Sequence, residues 1–444
     1  MIRIKSLQIV ATLLVAILTV SCGRPAKTWN DSEKELAKAI LEDQTLAIVD
    51  SMGRSLLLKG YNAGTSYSQV WIRDFNTFIE TVLEVVDPDE VKNALKYFLL
   101  LQQPNGEILD GYMPKESFPW GSRYEPPYYN DADAIHIGFK NTVETDQETS
   151  LIQAVRKYVE KTGNTAFLKE ELAGESVYAR LSKAVDYLIK EKYNPDYGLL
   201  TGALTCDWGD VDNIPGQYVD FGPESTTTID IYDNAMLVIA LRDLEFLSDN
   251  AAEQARWRDL RGKFEKNVRR FLWDSKNKRF ITHIYPEGKP ECLDFDESQI
   301  YYHGGTAVAI EAGLLSQNEI VKVNADMLQN VRKSGMPSIG LTVYPTYPAG
   351  FFPDEMSEPF IYQNGGDWTW FGGRMIQQLI RSGFVAEAYQ EIRPMIDRVI
   401  VNGDFYEWYG QGCVPRGSAA FKGSAGVLCK AIGMLQEWAE SIEQ

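Results

Sequence analysis

Apolar residues recur at three- and four-residue spacing in twelve stretches of this chain, and that recurrence limits its fold more than any other feature. The stretches run near 31–57, 73–86, 88–103, 146–162, 175–191, 229–248, 251–273, 298–313, 316–333, 368–382, 384–400 and 422–441. No region carries several alternating strands in series, and short extended pieces such as Arg279 to Tyr285 are expected to be loop hairpins. Twelve helices with no Pro/Ser-rich linker between them predict an all-α single domain, 23–444, built as an (α/α)6 toroid.

The links between these stretches alternate in length. Val86-Asp87, Asp249-Asn250, Leu315 and Gly383 are tight turns, whereas 104–145, 192–228, 274–297, 334–367 and 401–421 are long. Long ordered loops in a compact domain are usually functional. If helices alternate outer and inner around a ring, every long loop precedes an inner helix, and all of them collect on one face. That face is the expected site.

Composition narrows the partners. A formal charge of −18 argues against nucleic acid and an anionic membrane surface, and suits a neutral substrate. At the amino terminus Arg3 and Lys5 precede an apolar run from Ile9 to Val20 that stops at Ser21-Cys22-Gly23. The run is too short to span a bilayer and is expected to be a leader, 1–22, with Cys22 as an acylated residue. The implied location is exported and lipid-anchored, with the membrane a partner only through that anchor. Cys206, Cys292, Cys413 and Cys429 show no metal-ligand spacing and are expected to be mostly core residues.

The long loops hold the unusual chemistry. Trp120, Trp208, Trp368, Trp370 and Trp408 lie in or beside them, each near a carboxylate. Sugars present flat C–H faces to aromatic rings and hydroxyls to carboxylates, so such a mixture points to an oligosaccharide or disaccharide ligand. Only three histidines exist, His136, His283 and His303, and none accompanies a recognisable serine or cysteine nucleophile motif. A serine hydrolase and a histidine-rich zinc site are therefore poor readings, and neither a cofactor nor a metal is implied. His303 opens an inner helix and is expected at most to border the pocket.

Cleaving a glycosidic bond needs one protonated carboxyl and one ionised carboxylate. Asp207-Trp208-Gly209-Asp210-Val211-Asp212 places three acids around a tryptophan, and their mutual repulsion would keep one protonated. Asp207 or Asp210 is the expected acid. Glu407, in Phe405-Tyr406-Glu407-Trp408-Tyr409-Gly410, sits among aromatics and is the expected base. Inner-helix starts supply the sugar contacts: Trp71, Arg73 and Asp74; Glu144 and Asp146; Tyr362, Gln363, Asn364, Trp368 and Trp370; with Trp208 and Trp408.

At these residues the chain resembles the six-hairpin glycosidases, among them trehalase, glucosidase I, glucoamylase and the neutral/alkaline invertases. Arg73-Asp74-Phe75, Val91-Lys92-Asn93, Gly111-Tyr112-Met113-Pro114 and Glu407-Trp408-Tyr409 are similar to stretches of the neutral invertases. The Glu-x-Tyr also resembles the base motif of trehalase and glucosidase I. Asp207-Trp208-Gly209-Asp210 resembles instead the Asp-Trp-x-Asp of the disaccharide phosphorylases, whose second Asp is the proton donor. The resemblance implies an exo-acting, inverting glycoside hydrolase acting on an α-glycoside or sucrose-like sugar. A glycoside phosphorylase and a non-catalytic, lipid-anchored glycan-binding protein are the alternatives.

Overall fold

The computed structural model describes residues 29–119, 126–130, 133–353 and 356–443. Residues 1–22, the expected leader with Cys22, and Trp120 lie outside the described residues. Fourteen α-helices are present among the described residues: α1 (Asp31–Glu42), α2 (Gln44–Leu57), α3 (Ile72–Val82), α4 (Pro88–Leu100), α5 (Gln147–Thr162), α6 (Val177–Glu191), α7 (Ile231–Leu247), α8 (Ala251–Phe271), α9 (His303–Glu311), α10 (Gln317–Ser334), α11 (Thr369–Arg381), α12 (Val385–Glu391), α13 (Arg393–Asn402) and α14 (Lys422–Glu443).

These are the twelve expected stretches, two of them broken. The first breaks at Asp43, which adopts an extended conformation and accepts a hydrogen bond from the Thr45 amide, so it ends α1 and caps α2. The eleventh breaks at Ile392, where Pro394 in the first turn of α13 cannot continue the ladder of α12.

Helices α3, α5, α7, α9, α11 and α14 pack each against the next, and α14 closes on α3. This inner ring is wrapped by α1–α2, α4, α6, α8, α10 and α12–α13, giving the (α/α)6 toroid. Burial separates the two layers as the sequence requires. In α7, 14 of 17 residues are buried, including both faces, while in the 21-residue α8 only Trp257, Phe264 and Val268 are. No helix among the described residues is long and apolar enough to cross a membrane. Of the four described cysteines, all free, Cys206 and Cys429 are core residues, whereas Cys292 is exposed and Cys413 partly so.

One expectation fails in the 104–145 region. It supplies three strands, β2 (Gly111–Pro114), β3 (Tyr128–Asn130) and β4 (Asp133–Phe139), of a four-stranded antiparallel sheet that β1 (Val70–Trp71) completes in the order β1-β2-β4-β3. β1 and β3 are only two and three residues long and β2 is buried on both faces over most of its length, so a single strand, β4, carries an apolar–polar alternation, Ile135-His136-Ile137. Elsewhere the extended pieces are two-stranded hairpins, Trp273–Asp274 with Arg279–Phe280 among them.

Candidate active site

The long loops meet where the inner helices begin. A cavity of about 370 Å³ opens there, lined by the β1–α3 junction (Trp71, Arg73, Asp74), the end of the loop before β2 (Asp110), Trp208 and Asp210, Tyr362, Trp368 and Trp370, and Glu407. Tyr67, Gln69, Asn141, Tyr218 and Phe421 complete much of its wall. Because inner-helix amino termini face this mouth, their partial positive charge favours the gathering of carboxylates.

Trp208, Trp368 and Trp370 form its aromatic wall. The Trp208 ring meets Trp368 and Trp370 edge to face, with centroids 4.7 and 4.9 Å apart, and Trp368 donates from its indole nitrogen to the Tyr362 carbonyl. The Arg73 guanidinium lies 5.6 Å from the Trp208 ring centroid and 5.8 Å from that of Trp370.

Glu407 is buried at the cavity wall. It accepts hydrogen bonds from the Tyr67 hydroxyl at 2.9 Å and the Ser418 amide at 2.8 Å. Burial pushes its pKa up to about 7; the Asp210 charge adds to this, and the two hydrogen bonds oppose it. Asp210 lines the same cavity. Its Oδ1 accepts from Gln363 Nε2 at 2.7 Å and its carbonyl from Asn141 Nδ2 at 2.9 Å. Two residues 197 positions apart in the chain are thus brought to one chamber.

Asp207, the other expected acid, lies elsewhere. Its carboxylate accepts from the amides of Gly304 and Gly305 at 2.7 and 2.8 Å and so closes the amino terminus of α9. Any Cβ on Gly304 or Gly305 would come within 2.9 Å of that carboxylate, so only glycines permit the approach. Burial raises the Asp207 pKa well above the usual carboxylate range. Asp212 turns to the Ser225 hydroxyl and the Ile214 amide. The expected crowding of three acids is therefore not realised: a positive φ of 58° at Asp207 folds the loop back, and of the three only Asp210 faces the cavity.

Several expected sugar contacts are likewise placed behind the wall. Glu144 and Asp146 pair with Arg73, Asp146 at 3.4 Å, and line a smaller chamber beneath Trp208. Arg73 also donates to the Trp208 carbonyl at 2.9 Å, so its guanidinium is consumed in fixing the wall. Gln363 is wholly buried and reaches Asp210 instead of the cavity, while Asn364 accepts from the Tyr347 amide. Trp408 is buried beside Tyr362, with ring centroids 6.3 Å apart, and is not part of the wall.

His303 is buried against Asn330, its pKa pushed down to about 3 by burial, and it does not line the cavity. Among the described residues no group of three or more His, Cys, Asp or Glu is arranged to hold a metal ion.

Sequence reasoning passed over Tyr67 and Asp110. Tyr67 lies in the 58–71 link, shorter than the five long loops that drew attention. Asp110 directly precedes the Gly111-Tyr112-Met113-Pro114 stretch, which could have pointed to it. Burial pushes both Asp110 and Asp74 up to about 7, with the Arg73 charge opposing.

Comparison with known proteins agrees with this architecture. The family described as "Glycosyl hydrolase 94 superfamily, catalytic domain" matches residues 49–364. Among solved structures, the family 63 mannosylglycerate hydrolase of Thermus thermophilus superposes with a TM-score of 0.61 at 16% identity, covering 86% of this chain and 99% of that one. The family 78 rhamnosidase of Bacillus sp. GL1 gives 0.58 at 16% identity over 87% of this chain and 34% of that one. A rhamnosidase from Klebsiella oxytoca gives 0.56 at 12% identity over 87% and 63%. No curated protein matches. At such identities the structural likeness speaks for the fold; the match over most of the chain carries the assignment, and this chain belongs to the glycosyl hydrolase 94 superfamily as a glycoside hydrolase catalytic domain.

Proposed function

We propose that the chain is an exo-acting, inverting glycoside hydrolase that removes a terminal sugar from an α-glycoside or sucrose-like oligosaccharide. Asp210 protonates the departing glycosidic oxygen, and Glu407 accepts a proton from the water that attacks the anomeric carbon on the opposite face. The proton taken by Glu407 and the one given by Asp210 restore both groups through solvent after product leaves.

The observation that carries this reading is the presence of Asp210 and Glu407 on the walls of one cavity. Their surroundings suit the roles. Tyr67 and Ser418 hold Glu407 in place and favour its ionised form, and only Oδ1 of Asp210 is engaged by Gln363, leaving Oδ2 for the leaving oxygen. Asp74, Trp208, Trp368 and Trp370 then bound the terminal sugar, with Arg73 fixing the Trp208 wall from behind.

A phosphorylase would need a cationic pocket for phosphate in place of a base. The guanidinium of Arg73 is occupied by Glu144, Asp146 and the Trp208 carbonyl, and four carboxylates face the chamber, which opposes a phosphate dianion. Incubation of the pure protein with disaccharides, with and without inorganic phosphate, followed by NMR of the first-formed anomer, tests the reading. Free sugar of inverted configuration, independent of phosphate, is expected. Sugar phosphate would establish the phosphorylase, and unchanged ligand a binding protein.

The same reading places the enzyme outside the cytoplasm, tethered through a lipid on Cys22. It is supported by Arg3, Lys5, the apolar run Ile9 to Val20 and Ser21-Cys22-Gly23. Loss of membrane association in a Cys22→Ala variant tests it.

A further inference from the structure

The four carboxylates of the chamber fall into two kinds. Asp210 and Glu407 are each held by donors from the protein. Asp74 and Asp110 are not: among the described residues their recorded hydrogen bonds run through the backbone alone. Arg73, the nearest cation, directs its guanidinium to Glu144, Asp146 and the Trp208 carbonyl.

Asp110 is the more informative of the two because it cannot turn away. Its amide donates to the Phe139 carbonyl at 2.9 Å and its carbonyl accepts from the Ile72 amide, the first of α3, at 2.8 Å. On its other side Gly111 lies against Trp71, whose ring would be 2.4 Å from any Cβ placed there. The backbone is thus pinned between β4, the start of α3 and an aromatic ring, with its carboxylate at the cavity surface and the residue only 8% exposed. A carboxylate that opens on the cavity and receives no donor from the protein is free to accept hydrogen bonds from a ligand there. Each such group offers about four lone-pair positions, which suits neighbouring hydroxyls on a ring.

We propose that Asp110 is a specificity-determining residue of the terminal-sugar subsite: with Asp74 it accepts hydrogen bonds from hydroxyls of an uncharged, fully hydroxylated ring. It rejects uronates by repulsion, and rings deoxygenated at the hydroxyl it reads by leaving its carboxylate unpartnered. The proposal rests on the glycoside hydrolase reading of the same chamber.

Because four tryptophans, Trp71, Trp208, Trp368 and Trp370, line the chamber, intrinsic fluorescence reports occupancy. Titration of the wild type with D-glucose, D-mannose, D-galactose and L-rhamnose selects the sugar that binds best. That sugar, its monodeoxy derivatives and its uronate, where one exists, are then titrated against wild type, Asp110→Asn and Asp110→Ala, with circular dichroism confirming the fold of each. Asp110→Ala should weaken the parent sugar about tenfold or more, and Asp110→Asn by less, since one acceptor remains. One deoxy derivative should bind wild type weakly yet lose nothing further in Asp110→Ala.

Equal affinity of wild type and both variants for the parent sugar would overturn the proposal. So would equal losses for every deoxy derivative in both backgrounds, tighter binding of the uronate, or no binding of any of the four sugars. Sugar binding that depends on Asp110 in a protein that never turns a glycoside over would instead contradict the hydrolase reading and leave the assignment of Asp110 standing.

Discussion

Gln363 donates its side-chain amide to the carboxylate of Asp210 at 2.7 Å from a position that is itself wholly buried. Its main-chain carbonyl is fixed by the Thr342 hydroxyl at 2.6 Å and the Cys206 thiol at 3.2 Å. Gln363 is therefore a positioning residue for the acid. Gln363→Ala should lower kcat by about ten- to a hundredfold with little change in KM, since misplacement of a reacting group costs rate before it costs binding. In a cycle with Asp210→Asn the two effects should be far from additive, as steady-state kinetics of the three variants would reveal.

Glu407 must be ionised to act as a base, and its pKa is raised to about 7. The acidic limb of kcat/KM should accordingly lie near pH 7. The Tyr67 hydroxyl favours the ionised form, so Tyr67→Phe should move that limb to higher pH by up to about one unit. A pH profile of both proteins checks the shift; an unmoved limb would separate Tyr67 from the titrating group.

The same burial has a cost in stability. A carboxyl whose folded pKa is raised from 4.5 to about 7 holds its proton preferentially in the folded state. Its contribution to stability is fully present below pH 4.5 and is lost as pH climbs through 7. Glu407→Gln should thus raise the melting temperature relative to wild type at pH 8, by an amount corresponding to about 2–3 kcal/mol, and have little effect at pH 4. Thermal unfolding at the two pH values tests this.

Asp207 should behave as a structural residue. Asp207→Ala removes the acceptor of two amides at the start of α9, and roughly 2–4 kcal/mol of stability should go with it. The folded fraction should keep activity within about tenfold of wild type, unlike Asp210→Ala. Melting curves paired with active-site-normalised rates distinguish the two.

The ring of helices was legible because its signal is local: apolar spacing marks each helix, and the alternation of short and long links orders them into inner and outer layers. The mouth of the toroid followed from the same alternation. The sides taken by neighbouring residues were not legible. Asp207 and Asp210 lie three apart, and the left-handed turn at Asp207 sends one to α9 and the other to the cavity. Tyr362, also at positive φ, faces the cavity while Gln363 beside it does not. Tyr67 and Asp110 escaped notice because their roles depend on contacts between distant segments, Tyr67 with Glu407 and Asp110 with the start of α3. Arg73 was recognisable as a site residue, yet its partners Glu144 and Asp146 are what keep it from the ligand.

The division of labour between Asp210 and Glu407 is tested most directly by comparing a glycosyl fluoride, whose leaving group needs no protonation, with the corresponding oligosaccharide. Asp210→Asn should lose most of its kcat on the oligosaccharide and little on the fluoride, whereas Glu407→Gln should lose activity on both. Near-normal turnover of the oligosaccharide by either variant, or a fluoride that rescues Glu407→Gln and not Asp210→Asn, would contradict the account.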